Sequence, residues 1–106
     1  MSDTLARLEA TIAARRGAAP DASYVASLFG KGRARIARKL GEEAVETIVA
    51  ALTEDKAALT GEAADLLFHL MVLLADAGVP FANVLAVLDR REGVSGIAEK
   101  AARPSS

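Results

Sequence analysis

Apolar positions recur along this chain at helical spacing, in five blocks, and no segment alternates as a strand would. Leu5, Leu8 and Ile12 line one side of a segment at residues 3–16 that Ser2 or Asp3 can cap and Gly17 stops. After the loop at 17–20, Asp21 is expected to cap a short helix through about Phe29, carrying Val25, Leu28 and Phe29, until Gly30-Lys31-Gly32 breaks it. A long helix is predicted from about Arg33 to Leu52, with Ile36, Leu40, Val45, Ile48, Val49 and Leu52 as its buried side. Gly41 inside it costs roughly 1 kcal/mol against alanine, so a ligand or a neighbouring helix is expected to approach closely there.

Thr53-Glu54-Asp55 is a break, and Lys56–Leu59 reads as either its continuation or the first turn of the next helix. That helix, at about 60–76, is apolar nearly all round: Leu66, Leu67, Phe68, Leu70, Met71, Val72, Leu73 and Leu74. Such a helix is expected to be enclosed on every side. Gly78-Val79-Pro80 ends it, and Pro80 opens a fifth helix through Arg91, with Val84, Leu85 and Leu88 inside. A loop at 93–96, a short turn at 97–102 and a frayed tail at 103–106 complete the chain. With no repeat and no boundary, the expectation is an all-α, single-domain bundle of about five helices. One chain has few helices to cover so apolar a centre, so a homodimer is expected to complete the core.

Composition narrows the chemistry. Of 106 residues 52% are apolar and 4% aromatic, which gives a folded core built from aliphatic side chains and alanine. Cysteine is absent and there is one histidine, which excludes disulfides, thiolate metal sites and a His-rich zinc site. A net charge of −1 points to no particular partner, and neither nucleic acid nor membrane is expected. The N-terminus lacks the basic and apolar runs of a secretion signal. The apolar stretch from Leu66 to Ala75, interrupted by His69, reads as too short to span a bilayer. A soluble cytoplasmic protein is therefore expected.

Five carboxylates carry most of the functional signal. Glu42, Glu43 and Glu46 stand in the run Glu-Glu-Ala-Val-Glu; Glu62 and Asp65 stand in Glu-Ala-Ala-Asp. Glu43 with Glu46, and Glu62 with Asp65, are three apart and so share a helix face. Solvated helical acids are common, but the second pair is set in the most apolar helix, where unpaired charge is expensive. A bound cation resolves the repulsion, and oxygen-only ligands favour a hard ion such as Mg2+. Glu42 reads as a ligand, a supporting acid or a salt-bridge partner of Arg38 or Lys39. A di-iron bundle is disfavoured, because Asp65 and His69 are four apart and no second histidine exists. His69 reads as a hydrogen-bonded core residue behind the site, placed to orient Asp65 or to meet a phosphate.

Lys31, Arg33, Arg35, Arg38 and Lys39 form a basic run. Its bland explanation is a solvated face. Arg35 and Lys39, however, continue the stripe that leads to Glu42 and Glu46, and Lys31 sits near a helix start that favours anions. Gly30-Lys31-Gly32 lacks the spacing of a P-loop. Ser23 and Tyr24 fit a capping serine and a half-buried tyrosine. Acids holding Mg2+ beside cations holding phosphates suit attack of water on a phosphoanhydride, without a covalent intermediate.

Glu43-x-x-Glu46, fifteen residues, then Glu62-x-x-Asp65 resembles the metal motif of the all-α, MazG-like nucleoside triphosphate pyrophosphohydrolases. The flanking text is similar to one branch, the phosphoribosyl-ATP pyrophosphohydrolases of histidine biosynthesis. The matching segments are Leu8-Glu9 with Ile12 and Arg15-Arg16, Ser23-Tyr24 with Leu28-Phe29, the run 38–46, the run 62–70, Leu88 to Arg91, and the run 93–100. The resemblance implies Mg2+-dependent cleavage of phosphoribosyl-ATP to phosphoribosyl-AMP and pyrophosphate by a homodimer. It implies Glu43, Glu46, Glu62 and Asp65 as metal ligands, and Glu42 and Glu46 as the catalytic carboxylates, Glu42 being metal-associated or the base. Arg35, Lys39 and Lys31 would face phosphates, with Gly93, Ser95 and Gly96 near the substrate. Phe68 stands where tyrosine is usual, and no cyclohydrolase domain accompanies the motif, which implies a stand-alone form. Two other functions remain open on the residues alone: a MazG-like housecleaning pyrophosphatase with the same metal site, and a non-catalytic helical dimerisation module.

Overall fold

The computed structural model describes residues 3–92, and among them there are five helices and no strand. They are α1 (Asp3–Arg15), α2 (Tyr24–Lys31), α3 (Arg33–Thr53), α4 (Lys56–Ala77) and α5 (Phe81–Arg91). The loop 93–96, the turn 97–102 and the tail lie outside the described residues. The all-α expectation is met.

The centre is an antiparallel hairpin of α3 and α4, forced by a two-residue connection at Glu54 and Asp55. Asp55 caps α4, its carboxylate accepting from the Ala58 amide at 2.8 Å. Lys56–Leu59 therefore belongs to α4. The helix closes on Gly78, left-handed at φ 76°, with the Val79 amide returning to the Leu74 carbonyl at 2.9 Å. Two arginines reinforce that end. Arg33 pairs with Asp76 at 2.8 Å, and Arg16, its guanidinium over the Phe29 ring, donates to the Ala75 carbonyl. Cations at a helix C-terminus are favourable.

Of the two caps the sequence offered for α2, the capping serine is the one used. Ser23, not Asp21, starts the helix, its Oγ accepting from the Ala26 amide at 3.0 Å. The later start lets Val25, Ala26 and Leu28 face inward. They join Ile12, Ile36, Met71 and Val72 in a core that sits where α1 and α2 lie across the start of α3 and the end of α4.

The other half of the hairpin is bare, which corrects the expected buried side of α3. Ile36 is fully buried and Leu40 half-buried, but Val45, Ile48, Val49 and Leu52 are exposed, Leu52 at 79%. Nor is α4 enclosed all round: only His69, Met71 and Val72 are buried. At 22 residues, with an 18-residue window of mean hydropathy 1.5, the whole helix is also long and apolar enough to cross a membrane by length and composition. Here it serves as one arm of the hairpin. No residue of α5 is buried, and Leu88 is exposed. That helix starts on Pro80 without a cap of its own, and Glu9 of α1 accepts from its Phe81 amide at 2.8 Å instead. A Cβ added at Gly41 would meet nothing within 4 Å, so no helix among the described residues approaches it.

Candidate active site

Three of the five acids converge. Glu43 from α3 and Glu62 and Asp65 from α4 offer carboxylate oxygens that all lie within 4.8 Å of one another. The hairpin makes this possible: the paired acids on α4 share a face, and antiparallel α3 presents Glu43 opposite them. Thr47, one turn beyond Glu43, fixes the register. Its hydroxyl is 2.8 Å from the Glu43 carbonyl oxygen and 3.2 Å from that of Glu62, so one proton is shared between the two helices.

Glu43 is only 7% exposed. The nearest compensating cation is Lys39, with Nζ 3.6 Å from its Oε1. Three carboxylates around one ammonium leave excess negative charge. An all-oxygen set of this kind fits a hard divalent cation, so the residues pass the test of fit for Mg2+.

Glu46 stands beside the trio. Its carboxyl is held above the ordinary range, first by a hydrogen bond to Glu43, then by the charge of Glu43, desolvation and the charge of Glu62. Glu42 is turned to the cations, the salt-bridge alternative among its expected roles. It lies 3.7 Å from both Arg38 Nε and Lys39 Nζ.

Those cations line a pocket of about 350 Å3 with Tyr24, Leu28, Lys31, Arg35 and Glu42. Lys31, Arg35 and Lys39 were expected there. Arg38 was not, because it falls off the stripe that joins Arg35 to Glu46, yet it is three residues from Arg35 and so still a neighbour. Desolvation works against the charge of Lys39, but Tyr24, Glu43 and Glu42 outweigh it and raise its pKa, so the ammonium persists at neutral pH. It links the pocket to the acids.

Behind the acids, His69 Nδ1 lies 2.7 Å from the Asp65 carbonyl oxygen, and its Nε2 lies 2.7 Å from the Tyr24 hydroxyl. A carbonyl only accepts, so Nδ1 carries the proton and Nε2 receives the one donated by Tyr24. Burial, followed by smaller effects of nearby charges, pushes the phenol up and keeps it a donor. The ring of Tyr24 stacks on Phe68, with centroids 6.1 Å apart. The sequence marked Ser23 and Tyr24 only as a cap and a half-buried ring. The tie to His69 spans 45 residues and leaves no local signal. Thr47 was missed for the same reason. Gly93, Ser95 and Gly96 lie outside the described residues.

Residues 5–92 match the phosphoribosyl-ATP pyrophosphohydrolase family. The chain belongs to that family. Curated relatives agree over almost their whole length. A phosphoribosyl-ATP pyrophosphatase of Rhizorhabdus wittichii is 72% identical over 98% of each chain. One of Zymomonas mobilis is 64% identical over 98% of this chain and 97% of its own. One of Novosphingobium aromaticivorans is 66% identical over 95% and 94%. The protein is thus a pyrophosphohydrolase, a hydrolase of the all-α MazG-like superfamily. The matched range, residues 5–92, spans the positions of the acid trio, Thr47, Tyr24, His69 and the basic pocket of this pyrophosphohydrolase.

Proposed function

We propose that this protein hydrolyses phosphoribosyl-ATP to phosphoribosyl-AMP and pyrophosphate, the second step of histidine biosynthesis, and that it requires Mg2+. The observation that carries the reading is the buried Glu43 clustered with Glu62 and Asp65, next to a pocket of four cations. Glu43, Glu62 and Asp65 hold the ion, with Glu46 beside them. Bound there, Mg2+ would supply charge neutralisation and a more acidic water. Lys39 binds phosphate oxygens of the anhydride and positions it, and Arg35 and Lys31 face phosphate of the same substrate. Water forms a bond to phosphorus, the bridging bond between the α- and β-phosphates breaks, and pyrophosphate leaves. The carboxyl of Glu46, already drawn toward protonation, takes the proton from water. Glu42 orients Arg38 and Lys39.

The exposed apolar stripe of α3 supports a homodimer, in which a second copy covers Val45, Ile48, Val49 and Leu52. The protein then acts in the cytoplasm on a small nucleotide, with no nucleic-acid or membrane partner.

The test is pyrophosphate release from phosphoribosyl-ATP with and without Mg2+, beside ordinary ribo- and deoxynucleoside triphosphates. Mg2+-dependent release confined to phosphoribosyl-ATP is expected. Preferential release from a deoxynucleotide overturns the substrate and keeps the metal site. Inertness toward all of them overturns catalysis.

A further inference from the structure

Phosphoribosyl-ATP carries phosphate in two places: the triphosphate that is cleaved, and a 5-phosphate on the ribose joined to the adenine. An ordinary nucleoside triphosphate lacks the second. The acid trio and Lys39 account for the first.

On the pyrophosphohydrolase reading, we propose that Lys31, Arg35 and Arg38 bind the phosphoribosyl 5-phosphate, and that this pocket is what distinguishes the substrate from ATP.

Distance is the first argument. Arg35 precedes Glu43 by eight residues on one unbroken helix, about 12 Å at 1.5 Å per residue. Three phosphorus atoms joined through single oxygens fall short of that span. A phosphate at the far end of the nucleotide reaches it, and Lys39 stands between, on the triphosphate side.

Charge is the second. Lys31 ends α2 and Arg35 lies in the first turn of α3, yet both line the same pocket. Among the described residues neither has an ion-pair partner, and Arg38 has only Glu42 at 3.7 Å. The N-cap of α3, Gly32, gives no side-chain hydrogen bond to the amides of the first turn. Lys31, Arg35 and Arg38 line one concavity, which matches a dianionic phosphate held by guanidinium forks.

Shape is the third. The pocket, about 350 Å3, has Leu28 and the Tyr24 ring in its wall. It offers a sugar an apolar surface beside the cations that take its phosphate.

Calorimetric titration of the wild type and of Arg35→Gln and Arg38→Gln with phosphoribosyl-AMP, AMP and pyrophosphate, in Mg2+, tests the assignment. Both arginines are solvent-exposed, so the variants fold, and an unchanged thermal transition verifies it. Wild type binds phosphoribosyl-AMP at least about tenfold tighter than AMP, and each variant loses about tenfold toward phosphoribosyl-AMP. Affinities for AMP and pyrophosphate stay within about twofold. Equal wild-type affinity for AMP and phosphoribosyl-AMP overturns the assignment. So does a loss of pyrophosphate affinity matching that of phosphoribosyl-AMP, which makes the pocket the leaving-group site. Unchanged affinities overturn it as well and leave a solvated face. If wild type releases pyrophosphate from phosphoribosyl-ATP, these failures touch only the pocket; if it does not, the underlying reading fails separately.

Discussion

The Tyr24 hydroxyl lies 2.7 Å from Nε2 of His69, and this contact joins α2 to the helix that carries Glu62 and Asp65. His69 passes the connection on through Nδ1 to the carbonyl oxygen of Asp65. Tyr24 also lines the basic pocket, so one side chain touches both halves of the site. Tyr24→Phe keeps the ring on Phe68 and removes only the donor, leaving a buried imidazole nitrogen without a partner. That costs about 1–3 kcal/mol, and each kcal/mol corresponds to roughly 4–8 °C for a domain of this size. Differential scanning calorimetry reads the fall. An unchanged transition would mean that water replaces the phenol at no cost.

The acid trio predicts opposite effects of one substitution with and without metal. Glu62→Gln removes one of three mutually repelling charges, so the metal-free protein becomes more heat-stable. It also removes a ligand. Partners that merely support a metal ligand are worth 10–100-fold, so losing the ligand lowers Mg2+ affinity by at least about 100-fold. Wild type gains about 2.7 kcal/mol when Mg2+ is present at 100 times its dissociation constant, and the variant gains almost nothing at that concentration. Thermal shift with and without Mg2+, beside turnover, checks all three. A variant that keeps full turnover and full Mg2+ stabilisation removes Glu62 from the site.

Glu46 gives a pH dependence whose sign is fixed. Its pKa is raised in the folded protein, chiefly by the hydrogen bond to Glu43. The folded state therefore holds that proton at pH values where the unfolded chain has lost it. Above the raised pKa both states are ionised and the full cost is felt. As pH falls through the raised value toward the ordinary carboxylate range, the cost disappears. Glu46→Gln cannot titrate. Without metal it should be more stable than wild type at neutral pH, and the advantage should shrink as the pH is lowered through that window. Melting curves from neutral to acidic pH test this. An advantage independent of pH would assign the effect to packing.

Much of this was legible in the sequence, for identifiable reasons. Element type followed from the 3.6-residue period, and the acid pairs at i and i+3 were enough to place Glu62 and Asp65 on one face. The period could not say what covers a face. Val45, Ile48, Val49 and Leu52 were read as one buried side with Ile36, but at about 100° per residue they turn to the opposite face, and only Ile36 is buried within the chain. The local rules also compete. Asp21 follows a proline and can cap a helix, but Ser23 does so because that start turns Val25 and Leu28 inward. For Glu42 the sequence left three roles open, and Arg38 and Lys39, one turn back, hold it as their salt-bridge partner. Thr47 and Tyr24 act across the fold on partners 15 and 45 residues away, and no window of sequence shows that.

The bare stripe on α3 yields the last prediction. Leu52 is 79% exposed in the single chain. If nothing covers it, Leu52→Asp is a surface substitution worth within about ±0.5 kcal/mol, and the mass in solution does not change. If a second copy covers it, each protomer loses a buried leucine, worth about 1.5–3 kcal/mol. Two-fold symmetry counts the loss twice, and the same position must then desolvate a carboxylate. The dimer dissociation constant should rise by about two to four decades. Sedimentation equilibrium across a dilution series separates the cases. The apolar stripe and Glu43 lie on the same stretch of α3 but on opposite faces, with Glu43 turned to Glu62 and Asp65 of α4. Loss of the partner should therefore loosen the hairpin near Thr47 and weaken Mg2+ binding together with association. A monomeric Leu52→Asp variant with wild-type Mg2+ affinity would separate the two and show that each chain holds its metal alone.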